Sequence, residues 1–273
     1  MKQPMARVVS HEQIAHGIYE LTLFTPIADV AEPGQFVHVK IPGGDATLLR
    51  RPISIARSEE STLTLIYQIK GKGTRLLSHV GAGDFLDVLG PLGNEFSTKG
   101  VRRALVVGGG MGAAPLENLL LHNRDIEFDV VLGFRSQKVS YRLWYFQHLA
   151  HDFNVLTEDG SMGEKGFVTQ KVETLLKENH YDAIYACGPS AMMKALKKTV
   201  EPYPIPCFVS LEERMGCGIG ACLVCNCKIR RQDGSFTYKR VCKDGPVFLL
   251  REVMLATQKE AGEQQTVRIV LSA

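Results

Sequence analysis

Hydrophobic positions recur along this chain with two different periods. Through the first hundred residues the period is two. "IYELTLFTP" (18–26) alternates apolar and polar side chains, and "QFVHVKIPGG" (35–44) does so before a turn. "LTLIYQI" (63–69) and "DFLDVLGPLG" (84–93) follow, bounded by Gly, Pro or Asp. Short strands at this spacing predict a small antiparallel barrel. The pattern then changes. "ALVVGGGMGAAPLENLLL" (104–121) reads as a buried strand, a glycine turn and an amphipathic helix. Strands are expected in "FDVVLGFRS" (128–136), "FNVLTEDGS" (153–161) and "YDAIYACGP" (181–189). Helices are expected in "SYRLWYFQHLAH" (140–151), "FVTQKVETLLKEN" (167–179) and "SAMMKALKKTV" (190–200). Alternating strands and helices mean a parallel α/β sheet. From about Ser210 that rhythm stops. The last residues return to a helix-like stretch, "FLLREVMLATQKEAG" (248–262), and a strand-like one, "TVRIVLSA" (266–273).

The predicted fold is therefore multi-domain, β followed by α/β. It comprises a barrel domain over 1–99, an α/β domain over 100–209, and a small cysteine-rich domain with its tail over 210–273. The 273 residues suffice for these units, and 45% hydrophobic with 22% charged residues is ordinary for a globular protein. A net charge of +3 with scattered basic residues argues against a nucleic-acid groove or a polybasic membrane patch. No apolar run approaches the ~20 residues of a membrane span, and "MKQPMARVVSHEQ" lacks a signal-peptide core. A cytoplasmic protein is expected.

Seven cysteines, an odd number, speak against a disulfide framework in such a compartment. Four follow the spacing Cys217-x4-Cys222-x2-Cys225-x16-Cys242. That is the plant-type spacing of a [2Fe–2S] cluster, in which a tight loop supplies three thiolates and a remote residue the fourth. Gly216, Gly218 and Gly220 let the loop fold closely and turn amide N–H groups toward negative charge. A zinc site is the alternative, though zinc favours two repeated pairs and Cys242 stands alone. Cys227 lies outside the spacing and is expected to pack, as is Cys207.

Two further stretches carry candidate chemistry. In "VVGGGMGAAP", Gly108, Gly110 and Ala113 fit a G-x-G-x-x-A turn, which brings a pyrophosphate to a helix N-terminus. The pattern alone leaves a ligand-free strand–helix turn open. Arg135 stands where a Rossmann domain carries an acidic ribose-binding residue, so a different lineage or a 2′-phosphate preference is implied. Cys187, Gly188 and Pro189 end the fourth strand, where such sheets bind ligands, although a buried core cysteine is the plainer reading of Cys187. "LLRRPISIA" reads either as a solvated charge pair entering a strand or as a flavin site. In the second reading Arg51 pairs with pyrophosphate and Ser54 with the ring edge, while the Pro52 and Ile53 backbone lies against the isoalloxazine. "GKGT", residues 71–74, would be a second phosphate cradle.

The order R-P-x-S, G-G-G-x-G-x-x-P, C-x4-C-x2-C resembles the ferredoxin reductase-like superfamily. Within it, "LLRRPISI", "GPLGNEF", "VVGGGMGAAPL", "TEDGSMGEKGFVT", "YACGPSAMMKA", "LEERMGCGIGAC" and "VCKDGPVF" resemble the electron-transfer subunits of class 1B dihydroorotate dehydrogenase, over about residues 5 to 250. The resemblance implies FAD at Arg51, Pro52, Ile53 and Ser54, completed by Tyr67, Gln68, Ile69, Gly73 and Thr74. It implies NAD over Gly110, Met111 and Gly112 and at Cys187, Gly188 and Pro189, with a [2Fe–2S] cluster on Cys217, Cys222, Cys225 and Cys242. It also implies an FMN-containing catalytic partner, two copies of each subunit, and a relay serving pyrimidine synthesis. This chain offers no base for substrate oxidation. The nearest alternative is the NAD(P)-flavin subunit of a related complex: a bifurcating ferredoxin–NADP reductase, a sulfide dehydrogenase or a hydrogenase. A zinc-bearing or redox-sensing interaction protein is the alternative of another class. The tail after Leu250 and the extra thiol of Cys227 depart from the family pattern.

Overall fold

A computed structural model describes residues 1–42 and 48–255. Six antiparallel strands close a barrel in the order β1-β2-β5-β4-β3-β6. They are β1 (Met5–Ala15), β2 (Ile18–Phe24), β3 (Phe36–Val39), β4 (Arg51–Glu59), β5 (Thr62–Gln68) and β6 (Phe85–Leu92). Alternation fills the interior: Val8, Leu21, Leu23, Val37, Val39, Ile55, Leu65 and Val88 point inward and are buried. β1, the longest strand, has no clear period-two pattern. It is interrupted by register shifts between Val8 and Ser10 and between Gln13 and Ala15, and a bulge moves the side-chain phase by one residue. A short helix, α1 (Lys72–Leu77), follows β5.

The second sheet has the order β10-β9-β8-β7-β11-β12-β15. Its strands are β7 (Arg103–Gly109), β8 (Glu127–Phe134), β9 (Asp152–Thr157), β10 (Glu164–Lys165), β11 (Ala183–Cys187), β12 (Cys207–Ser210) and β15 (Val247–Leu249). All are parallel except β15, which runs antiparallel to β12. The helices α2 (Ala114–His122), α3 (Leu143–Leu149), α4 (Val168–Glu178) and α5 (Ser190–Val200) connect them. α5 coincides with the expected "SAMMKALKKTV". β7, the first strand, pairs with both β8 and β11, so the strand order reverses at its C-terminal end, where open α/β sheets bind ligands.

Residues 211–246 leave the sheet after β12 and return as β15. They hold the cysteine loop, a hairpin of β13 (Asn226–Arg230) with β14 (Phe236–Arg240), and a turn of helix, α6 (Val241–Asp244). The helix-like reading of 248–262 needs correction where it is described. Phe248 and Leu249 pair with Val209 and Phe208 as strand, and Arg251 and Glu252 turn. Sheet hydrogen bonds at β12 outweigh the helical spacing of the apolar residues. The remainder of that stretch and the strand-like 266–273 lie outside the described residues.

Polar contacts join the three parts. Asn94, in "GPLGNEF", donates from Nδ2 to the Val247 carbonyl at 3.0 Å and accepts from the Val247 N–H at 2.9 Å; its own N–H meets the Gly245 carbonyl at 2.7 Å. Arg142 bridges Glu20 of the barrel at 3.2 Å and Glu117 of α2 at 2.7 Å, with its guanidinium 3.6 Å from the Tyr145 ring centroid. Among the described residues no helix is long and apolar enough to cross a membrane.

Candidate functional site

A cleft of about 960 Å³ runs between the barrel and the C-terminal ends of β7 and β11. Of the expected flavin residues, Arg51, Pro52, Ile53, Ser54, Tyr67, Gln68 and Thr74 line it. All six expected nucleotide residues, Gly110, Met111, Gly112, Cys187, Gly188 and Pro189, line the same cleft. Ile69 does not, and its N–H is taken by the Gly17 carbonyl at 2.9 Å. Gly73 lies behind Arg51: a Cβ built on it would stand 2.6 Å from the Arg51 Nε. The missing side chain is what admits the guanidinium.

The structure separates the two arginines. Arg50 is locked to Asp87 at 2.6 Å, and the Arg50 hydrogen bond holds the Asp87 carboxyl below the usual range despite partial burial. Arg51 donates only to the carbonyls of Leu49 and Arg50 among the described residues, so no carboxylate there neutralises it. A cation facing a cleft without an anionic partner is suited to an anionic ligand. The "GKGT" stretch opens α1. Thr74 Oγ1 accepts from the N–H groups of Lys70 at 2.9 Å and Gly71 at 3.2 Å, leaving the first-turn amides of α1 beyond it without intrahelical partners. Tyr67 is fixed by His11, whose Nε2 lies 2.9 Å from the phenol oxygen, and its ring stacks on Tyr19.

On the α/β side, a 3₁₀ turn over Gly110–Ala113 carries the chain from β7 into α2. A side chain at Gly112 would collide with the Cys187 carbonyl, so the turn and the end of β11 touch only because the residue is glycine. Burial pushes the Cys187 thiol up to about 12, which makes it a neutral, inert group. Arg135 and Glu158, at the ends of β8 and β9, line the outer part of the cleft together. The arginine was evident in the sequence; the nearby carboxylate was not.

The cysteine loop begins just beyond the cleft wall. Met215, two residues before Cys217, lines the cleft. The four spaced cysteines come as two pairs. The N–H groups of Ala221 and Cys222 point at Cys217 Sγ, at 3.3 and 3.4 Å, and the Cys217 N–H points at Cys222 Sγ at 3.4 Å. The Cys242 N–H points at Cys225 Sγ, also at 3.4 Å. Partial burial pushes the Cys217 thiol up, but these amides outweigh it and bring it down to about 6. Burial and then the neighbouring Cys225 push the Cys242 thiol up to about 12. Two pairs of sulfurs, with amide N–H groups aimed at three of the four, fit a binuclear cluster. Among the described residues no three His, Cys, Asp or Glu side chains converge as a single-ion site requires. Cys227 is buried in β13 beside Ile229, and burial pushes its thiol up to about 12. Cys207 is buried in β12.

Three features of this end were not found from the sequence. Arg240 grips Asp244 through Nε and Nη2, both at 2.9 Å, and donates from Nη1 to the Gly220 carbonyl at 3.2 Å, tying the loop to α6. Leu223 adopts a left-handed φ of +57° with its side chain 58% exposed. His38 of β3 lies under Gly218, fully buried, with neither ring nitrogen partnered among the described residues.

Comparison with known proteins came to the same parts of the chain. Residues 212–254 match the iron–sulfur cluster binding domain of dihydroorotate dehydrogenase B, and residues 106–198 an oxidoreductase NAD-binding domain. The chain is 43% identical to the dihydroorotate dehydrogenase B (NAD(+)) electron transfer subunit of Caldanaerobacter subterraneus subsp. tengcongensis, over 91% of this chain and 97% of that one. It is also 43% identical to the protein of the same name from a Geobacillus species, over 93% and 100%. Among solved structures, an NADH-dependent reduced ferredoxin–NADP oxidoreductase studied for flavin-based electron bifurcation superposes with a TM-score of 0.83 at 29% identity, covering 92% of this chain and 90% of that one. Phthalate dioxygenase reductase shares the fold, with a TM-score of 0.61 at 17% identity over 97% of this chain and 81% of that one.

Proposed function

This chain belongs to the family of dihydroorotate dehydrogenase B (NAD(+)) electron transfer subunits, and from that premise we propose that it relays electrons from a dihydroorotate-oxidising partner to NAD⁺. The observation that carries the reading is the single cleft. Its walls hold seven of the nine expected flavin residues, all six expected nucleotide residues and Met215, next to the cysteine loop. Bound flavin exchanges hydride with a nicotinamide and single electrons with an iron–sulfur cluster, which is why it belongs between them.

The chain's own residues supply binding and insulation. Arg51 and the first turn of α1 hold pyrophosphate, Ser54 addresses the ring edge, and Tyr67 closes one wall. Gly110–Gly112 and Cys187–Pro189 hold the nicotinamide nucleotide. The ligand set for the cluster is Cys217 with Cys222 and Cys225 with Cys242. The domains follow the same division: 1–99 for FAD, 100–209 for NAD and 210–273 for the cluster and tail. The partner is an FMN-containing catalytic subunit, two of each chain assemble, and the complex works in the cytoplasm in de novo pyrimidine synthesis. The exposed Ile219, Leu223 and Val224 of the cysteine loop face that partner.

Purified aerobically and analysed for flavin, iron and labile sulfide, the chain is expected to hold FAD, iron and sulfide near one to two to two. Alone it reduces dyes with NADH and leaves dihydroorotate untouched; mixed with the FMN subunit it couples dihydroorotate to NAD⁺. Stoichiometric zinc without labile sulfide, or oxidation of dihydroorotate by the chain alone, sinks the reading. Leu223→Glu is expected to weaken co-purification with the FMN subunit while leaving the cluster spectrum intact.

A further inference from the structure

β3 places alternate side chains on opposite faces of the barrel wall. Val37 and Val39 enter the barrel core, whereas Phe36 packs in the core shared with Cys225 and Cys242. His38 lies on the Phe36 side of the wall by the same alternation. On an isolated barrel that side would face water. Here His38 is 0% exposed because the cysteine loop covers it. A Cβ built on Gly218 would fall 2.6 Å from His38 Cε1, 2.7 Å from Nδ1 and 2.9 Å from Nε2, so the edge carrying both nitrogens faces the loop between Cys217 and Cys222.

The ring also adjoins the flavin side. His38 pairs with Pro52 and Phe36 with Ser54 across the β3–β4 ladder. Phe36 lines the cleft, and its ring centroid is 5.8 Å from that of His38. The imidazole thus stands between the proposed flavin wall and the proposed cluster.

Among the described residues, neither nitrogen of His38 has a hydrogen-bond partner. A neutral imidazole always carries one N–H donor. Leaving a buried polar group unsatisfied is costly, and an apolar residue of similar size would avoid that cost. Burial, and then the charge of Arg50, lower the His38 pKa to about 4, so the ring is neutral at physiological pH. Arg50 itself is held by Asp87. The ring edge lies against the loop at Gly218.

We propose that His38 donates its ring N–H to a sulfur of the [2Fe–2S] cluster held by this loop, and so raises the cluster's reduction potential. The inference rests on the cluster reading above. A donor to sulfur stabilises the more negative, reduced cluster more than the oxidised one, and hydrogen bonds to the sulfurs are among the terms that set these potentials. No proton changes hands; the bond strengthens as the cluster takes up one electron. With a charged acceptor, such a bond shifts the reduced-to-oxidised ratio by about tenfold.

The test is made on the full chain with flavin and cluster loaded. His38→Leu is expected to keep wild-type iron and sulfide and to lower the cluster midpoint about tenfold in that ratio, ~59 mV for one electron, in an EPR-monitored redox titration. His38→Asn, which retains an N–H donor, is expected to recover part of the shift. A loaded His38→Leu with an unchanged midpoint overturns the proposal. Should neither variant fold, the unmutated protein answers. Pulsed EPR of the reduced cluster, with and without ¹⁵N-histidine, is expected to show coupling to one imidazole nitrogen, and its absence overturns the proposal. Wild-type protein without iron and labile sulfide overturns the cluster reading itself, and this proposal with it.

Discussion

Arg51→Ala is expected to release FAD while leaving the fold intact. The guanidinium faces the cleft, has no carboxylate partner among the described residues, and donates only to the carbonyls of Leu49 and Arg50. Removing it therefore breaks no ion pair, unlike removal of Arg50, which would leave Asp87 with only the Gln3 side-chain amide as a hydrogen-bond donor. Charge-assisted hydrogen bonds to pyrophosphate contribute about 1.5–3 kcal/mol, so the dissociation constant rises roughly tenfold to more than a hundredfold. Gly73→Ala gives an independent handle on the same atom. Its new Cβ would sit 2.6 Å from Arg51 Nε and 2.9 Å from Cζ. The obstructed group is the end of a flexible side chain, so the protein escapes the clash by swinging the guanidinium aside. Gly73→Ala should thus weaken FAD in the direction of Arg51→Ala, and the double variant should be no weaker than Arg51→Ala alone. Flavin fluorescence on titrating apo-protein gives the constants, and urea denaturation of the apo forms checks the fold. Unchanged FAD affinity in Arg51→Ala, with the fold intact, refutes the reasoning. So does full additivity in the double variant.

Other expectations follow from particular contacts. Cys225→Ser should lose the visible absorption and iron of the cluster, whereas Cys227→Ser should keep both, because only Cys225 belongs to the amide-linked pairs; iron analysis decides, and the opposite result assigns the wrong ligand. Arg142→Met should destabilise the protein by about 3–5 kcal/mol in urea titration, since it strands Glu117, a carboxylate 1% exposed; a change below about 1 kcal/mol counts against a stabilising role for this bridge. Asp129 is buried, which raises its pKa, but hydrogen bonds from Tyr181, Arg103 and His151 together hold it below the ordinary 3.8. A depressed carboxyl contributes stability above its unfolded pKa and loses it as pH falls through the folded value. The stability gap between wild type and Asp129→Asn should therefore be full at pH 6 and shrink below about pH 4; a gap that does not change with pH refutes this. NADH should exceed NADPH in kcat/KM for dye reduction, and Glu158→Gln should narrow the difference, because a carboxylate beside Arg135 in the cleft repels a 2′-phosphate; unaltered selectivity removes Glu158 from that role.

Local patterns were legible wherever one contiguous stretch decides the outcome. Alternation in "IYELTLF" and "LTLIYQ" reports a wall with one apolar face, and the barrel has it. The helical period of "SAMMKALKKTV" is equally local. The C-x4-C-x2-C spacing fixes which thiols a tight loop brings within reach of one another, and the paired amide contacts of Cys217 and Cys222 follow from that closeness. The nearness of R-P-x-S to the glycine turn was legible only through a resemblance, since nothing in either stretch states that they share a cleft.

What only the tertiary structure decided concerns partners distant in sequence. "RR" reads as one charge pair until Asp87, on another strand, claims Arg50 and leaves Arg51 to the cleft. "FLLREV" has apolar spacing suited to a helix, but a free strand edge at β12 captures Phe248 and Leu249. Asn94 joins "GPLGNEF" to "DGPVF" through hydrogen bonds that no periodicity encodes. His38 is the sharpest case. Alternation in "QFVHV" sets it on the outer face of the barrel, and a histidine there would ordinarily meet water. Periodicity tells which way a side chain points; it carries no information about what a loop some 180 residues further along the chain will lay over it. Burial, and with it the cost of an unpartnered imidazole, is set by that long-range contact and therefore exists only in the folded protein.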